Sequence, residues 1–185
     1  MTRFHWVRHG PTHAKTMVGW SDLPADLSDT AALDRLSAYL PFAPVISSTL
    51  SRACETADAI QCQRPRLPPD PDLREIHFGE WELQHFQDVK DQAHIRRFWE
   101  EPGSIAPPGG ESWDQVCTRV NRAVDRLKGH KDIIVVAHFG VILSQVQRAL
   151  GLTGYQAFAY KLDNLSVTEI RFDQTWGAGP INVTP

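Results

Sequence analysis

The residues with the clearest chemistry are adjacent: Arg8 and His9, in the run Val7-Arg8-His9-Gly10. A neutral imidazole nitrogen is a competent nucleophile toward phosphorus. A guanidinium offers planar donors matched to phosphate oxygens. Taken alone, the pair fits a polar loop equally well. A second cation, Arg52, lies in Ser48-Thr49-Leu50-Ser51-Arg52-Ala53-Cys54-Glu55-Thr56-Ala57. There the free amides of a helix start would favour an anion, although most helix arginines are simply solvated. His138 directly follows the β-branched run Ile133-Ile134-Val135-Val136 and Ala137. That position suits a site residue, whereas many buried histidines merely bond a carbonyl.

These residues need a scaffold that gathers strand ends. The pattern predicts a strand over Phe4–Val7 that delivers Arg8 and His9 at its C-terminal end, with Gly10 opening a turn. Lys15 to Ser28 reads as a long loop, and Asp29 as the cap of a helix running to Tyr39. A strand over Pro44–Ser48 precedes a helix from about Leu50 to Cys62. Gln84 to Trp99 has helical composition but a thin apolar face, as expected of a partly exposed cover. Ser112 opens another helix that turns Val116, Val120, Val124 and Leu127 inward, Ile133–Val136 is a buried strand, and Val141–Leu150 is a helix. Leu165–Phe172 forms the last expected strand, and the tail after Trp176 is expected to be loosely held. The alternation predicts one α/β domain over 1–185: a three-layer sandwich with a mostly parallel central sheet and helices on both faces. Ligands of such sheets bind at the C-terminal strand ends, where His9 and His138 fall, with Arg52 just beyond another.

With RHG at 8–10, SRACETA at 51–57, LREIHFGEWE at 73–82, PPGGES at 107–112 and VVAHFG at 135–140, the chain resembles the histidine phosphatase superfamily, also called phosphoglycerate-mutase-like. The resemblance runs from Phe4 to about Phe172. It implies that His9 is the nucleophile, Arg8 and Arg52 the phosphate clamp, His138 the second pocket histidine, and Glu75 the acid serving the leaving group. Thr12, Ser21 and Phe139 join Arg8, Arg52 and His138 as expected substrate contacts. The sequence departs from the family pattern at Pro11, where Glu or Gln is common, and at Lys15, often Asn. It departs again at Phe139-Gly140, where two glycines are common, and in an apparent insertion at Ala25–Ser28. The stretch LREIHFGEWELQHFQDV, with Trp99, is particularly similar to the α-ribazole phosphatases of cobalamin biosynthesis. That likeness implies a nucleotide-like 5'-phosphate whose base meets Trp81, Phe86 or Trp99.

The formal net charge of -3 gives no whole-chain case for nucleic-acid binding, although a local cationic pocket is compatible with it. The N-terminus does not read as a signal peptide, and no apolar run is long enough to span a bilayer. Cys54, Cys62 and Cys117 lack a metal spacing and read as reduced thiols of a cytoplasmic protein. The expected partner is a small-molecule phosphate ester, with no nucleic acid and no membrane. No metal or organic cofactor is required, and a homodimer is only a family-level expectation. At 185 residues the chain is short for the substrate-covering segments of phosphoglycerate mutases, which places hydrolase above mutase. A mutase, and a non-catalytic phosphate-ligand-binding regulator on the same fold, stay open as alternatives.

Overall fold

The computed structural model describes all 185 residues. Strand β1 (Thr2–Arg8) lies at the centre of a five-stranded sheet. On one side it pairs in parallel with β3 (Asp132–Ala137), which pairs in parallel with β2 (Val45–Ser47). On the other side it pairs antiparallel with β4 (Val167–Asp173), which pairs antiparallel with β5 (Thr175–Ala178). The expected sandwich is present, but the sheet is half parallel and half antiparallel.

The path of the chain explains the reversal. Helix α5 (Phe139–Leu150) leaves the C-terminal end of β3, and the short α6 (Gly154–Ala157) follows. The next segment returns to the end where β1 finishes: the Leu165 amide donates to the Arg8 carbonyl, and the Arg8 amide to Ser166. Entering β4 at that end forces it to run against β1. No helix crossover has a sequence signature here, so the period-2 pattern alone could not set strand direction.

Side-chain alternation along β3 fills both faces. Ile133, Val135 and Ala137 join the larger core with Phe4, Trp6 and residues of α4 (Trp113–Arg126) and α5. Ile134 and Val136 join a smaller core with α1 (Thr30–Tyr39) and α2 (Ser51–Gln61). Asp29 caps α1 by accepting from the Ala32 amide, and Ser112 caps α4 in a capping box with Gln115.

Two local expectations need correction. The helix expected from Gln84 begins only at Gln92: Asp91 accepts from the His94 amide and starts α3 (Gln92–Glu100) there. Ile95 and Phe98 are buried, so α3 is anchored in the core rather than lying over it. The tail is also held. Trp176 packs on Phe4 and Phe172 and under the Arg148 guanidinium at 4.0 Å, while Val183 bridges Val167. No helix is long and apolar enough to cross a membrane.

Candidate active site

His9 follows the last residue of β1. Its amide donates to the Ala137 carbonyl of β3, and its own carbonyl accepts at 2.8 Å from Nδ2 of Asn164, in the turn before β4. Its ring Nδ1 lies 2.6 Å from the Gly10 carbonyl. A carbonyl only accepts, so Nδ1 carries the proton and Nε2 carries the lone pair. Arg52 Nε donates to that Nε2 at 3.3 Å. Burial, then the Arg52 and Arg8 charges, push the His9 pKa down to about 3. The ring is therefore neutral, and its lone-pair nitrogen faces a cation.

Arg52 is buried at the start of α2, and backbone carbonyls aim it: Nη1 donates to Ser21 at 2.9 Å and Nη2 to Gly19 at 2.6 Å. The loop that presents these carbonyls is itself held by Glu82. This carboxylate accepts from the Gly19, Trp20, Ser21 and Phe78 amides and from the Ser21 hydroxyl. A Cβ at Gly19 would fall 2.0 Å from the Ile76 carbonyl oxygen, so only glycine allows this approach. Ser21, expected as a substrate contact, thus gives its hydroxyl to Glu82 and its carbonyl to Arg52.

Arg8 donates through Nη1 to the Leu162 carbonyl, and its guanidinium carbon lies 5.3 Å from the Phe139 ring centroid. Its Nε is buried without a protein partner, as is Nδ1 of His138. His138 precedes α5, is wholly buried and stands with its ring centroid 5.1 Å from that of His9. Its Nε2 meets Ser48 Oγ at 2.7 Å, and the same oxygen accepts the Leu50 amide. If the Ser48 hydroxyl donates its proton to Nε2, His138 Nδ1 carries a proton with no protein acceptor. Arg8 Nε and His138 Nδ1 thus keep hydrogen-bonding capacity that no protein group uses. Burial, then His9 and the arginines, lower the His138 pKa, so this ring too is neutral.

Glu75 closes the cluster. Its carboxylate accepts from the Ile76 amide at 3.0 Å and from the first-turn Gly140 amide of α5 at 3.1 Å. A Cβ at Gly140 would lie 2.6 Å from Glu75 Oε1, so glycine there is what lets the acid reach the helix. Burial raises the Glu75 pKa; the two amides and then Arg52 and Arg8 pull the other way without cancelling it. Behind Glu75, Arg119 pairs with Glu111 at 2.7 Å and donates to the Asp72, Arg74 and Glu75 carbonyls, locking the segment that carries the acid.

Two adjoining cavities open here. The inner one, about 230 Å³, is lined by Glu75, Arg52 and a set of apolar side chains that includes Trp99 and Phe139. The outer one, about 400 Å³, includes Pro11, His13, Lys15 and Asn164. Arg8, His9, Thr12 and Ala14 line both. The structure thus brings Arg8, His9, Arg52, Glu75, Thr12 and Phe139 to one place, with His138 directly behind His9. Of the three aromatic residues expected to form a wall, only Trp99 reaches it. Trp81 is buried against Phe98 and His94, and Phe86 is exposed outside both cavities. No group of three or more His, Cys, Asp or Glu side chains is placed to hold a metal ion. Sequence reasoning missed Ser48, Glu82, Asn164 and the Arg119–Glu111 pair.

Comparison with known proteins agrees with this geometry. The model of the histidine phosphatase superfamily (branch 1) matches residues 4–178, and the chain belongs to that family. A bifunctional protein of Mycobacterium tuberculosis is 31% identical over 203 residues, covering 99% of this chain and 54% of that protein. The chain therefore spans about half the length of such relatives. An adenosylcobalamin/alpha-ribazole phosphatase of Salmonella typhimurium is 28% identical over 174 residues, covering 87% of this chain and 86% of the relative. Among solved structures, Bacillus stearothermophilus YhfR superposes with a TM-score of 0.87 at 27% identity, covering 96% of this chain and 95% of YhfR.

Proposed function

We propose that the chain hydrolyses small phosphate monoesters through a phosphohistidine formed on His9. The observation that carries this reading is the His9 ring, neutral and oriented by Gly10 so that its Nε2 lone pair meets Arg52. In the first transfer Nε2 bonds to phosphorus as the ester P–O bond breaks. The Glu75 carboxyl proton passes to the departing alcohol, a role its raised pKa supports. Arg8 and Arg52 neutralise the equatorial oxygens of the transferring group. Arg52 Nε–H, which caps Nε2 in the free protein, turns its hydrogen bond to a phosphate oxygen. In the second transfer water attacks phosphorus, the N–P bond breaks, and the water proton goes to the Glu75 carboxylate, restoring the starting state. Buried His138 lines neither cavity and backs His9, with its Nε2 held at Ser48.

The family and the relatives support hydrolysis, and the Salmonella relative puts α-ribazole 5'-phosphate at the head of the substrate panel. The test is alkaline-quenched turnover followed by mass spectrometry. The expected result is phosphate on His9, with turnover of a folded His9→Ala variant down by about 10³-fold or more. A competent wild-type enzyme without phosphohistidine, and full activity in His9→Ala, would overturn the reading. Label moving between phosphoglycerates without release to water would instead establish a mutase.

A further inference from the structure

The lining of the inner cavity is of two chemical kinds. His9, its cations Arg8 and Arg52, and Glu75 form the charged part. The rest is dominated by Met17, Val18, Phe78, Trp99 and Phe139, with the Phe139 ring centroid 5.3 Å from the Arg8 guanidinium carbon. These five come from the loop before α1, the turn after Glu75, α3 and α5, and four of them are tied to the core. Phe78 is itself a core residue, and Met17, Trp99 and Phe139 pack against that core. Trp99 is held by Phe78 at 5.9 Å, Phe98 at 4.9 Å and Phe158 at 5.6 Å between ring centroids. The wall is thus a fixed apolar surface that extends the protein interior to the site.

Charge accounting is equally restrictive. The transferring phosphoryl group occupies Arg8 and Arg52, and the inner cavity contains no further Lys or Arg. Lys15 lines only the outer cavity, whereas Glu75 lines only the inner one. An alcohol that receives its proton from Glu75 therefore departs along the apolar wall. A second anion on that alcohol would lie against this apolar wall without a cation of its own, an unfavourable placement. An apolar chain or ring would instead be favoured in proportion to the area it removes from water.

We infer that the site selects phosphate monoesters whose alcohol is apolar or aromatic and carries no second anion next to the ester, and that it discriminates against carboxylate-bearing esters such as phosphoglycerate and phosphoserine. This inference rests on the phosphatase reading and on Glu75 as the proton donor. Trp99 and Val18 are the residues that set the preference.

The experiment is a kcat/KM series on primary alkyl phosphates, which share similarly poor leaving groups: ethyl, butyl, hexyl and 2-phenylethyl phosphate, against 3-phosphoglycerate and O-phosphoserine. The expected ladder rises by about three- to fourfold for each methylene that reaches the wall, with the two carboxylate esters at or below ethyl phosphate. Trp99→Ala is expected to flatten the ladder while ethyl phosphate changes least. Since removing Trp99 also loosens the core, Val18→Lys provides a second, surface-side variant. It is expected to raise the ratio of 3-phosphoglycerate to hexyl phosphate by about tenfold or more. A flat or inverted ladder in an active wild-type enzyme would overturn the selectivity and leave the phosphatase reading standing. Absence of turnover on every ester would overturn both.

Discussion

The two halves of the sheet share β1 and diverge from it. On the parallel side, β1 and β3 end at the same edge and release His9 and His138 there, while β2 leads through Ser48 to Arg52. On the antiparallel side the same edge receives the start of β4, and its contribution is support: Asn164 holds the His9 carbonyl, and Leu162 holds Arg8. Farther out, Trp176 on β5 seals the large core between Arg148, Phe172 and Phe4. Parallel strands concentrate chain ends and helix starts at one edge, so chemistry collects there. The hairpin turns its chain at the far edge and serves the core.

This contrast breaks first at Glu75, which lies off the strands. Folded Glu75→Gln is expected to lower the first-transfer rate on alkyl phosphates by about 10²–10⁴-fold, with far less loss on p-nitrophenyl phosphate, whose phenolate leaves without help. The wild-type rate on alkyl esters is expected to fall as pH rises through the raised Glu75 pKa, because the proton to be donated is then gone. Rapid-quench profiles should lose that limb in the variant. Equal loss on both ester types, with phosphate affinity intact, would remove Glu75 from the role.

A smaller effect is expected at Glu82, which lines neither cavity and holds the loop that aims Arg52. Misplacing the guanidinium in Glu82→Gln is expected to cost about 10–10²-fold in kcat/KM and to weaken inhibition by inorganic phosphate in parallel. Arg52→Ala placed on top of it should then cost less than it does in the wild type. Full additivity of the two changes would show that Glu82 serves stability alone.

The least effect on turnover is expected at Trp176→Ala. Removing this partly buried ring is expected to cost about 2 kcal/mol of stability, or about 4–8 °C in Tm, with kcat/KM per folded molecule within about twofold of wild type. That outcome, read by thermal unfolding alongside titrated active sites, would sharpen the division between the halves. A turnover loss matching that of Glu82→Gln would erase it.

The parallel half was legible in the sequence because its signals are local. Ile133–Val136 announces a strand, and His138 comes immediately after it; Arg8 and His9 follow the apolar run of β1 in the same way. Asp29 and Ser112 marked helix starts with single side chains. What escaped notice acts at long range through backbone groups. Glu82 binds amides 61 to 63 residues away at 19–21, and Asn164 reaches across 155 residues to the His9 carbonyl. Neither contact leaves a periodic or motif-like trace. The direction of β4 was hidden for the same reason, since the loop that returns the chain to Arg8 has no pattern of its own. Ser21 was singled out as a substrate contact, yet its hydroxyl and carbonyl point to Glu82 and Arg52.

The way Arg52 is aimed has a consequence for how this site tolerates change. Every residue type supplies a carbonyl oxygen, so the guanidinium reads the spacing of positions 19 and 21 rather than the identity of the side chain at 21. A replacement at Ser21 keeps that carbonyl but gives up the hydroxyl's hydrogen bond to Glu82. Adding or deleting one residue between Gly19 and Ser21 would rotate one oxygen out of reach, and no choice of side chain would restore it. Over time such a loop keeps its length frozen, and the glycine at 19 with it.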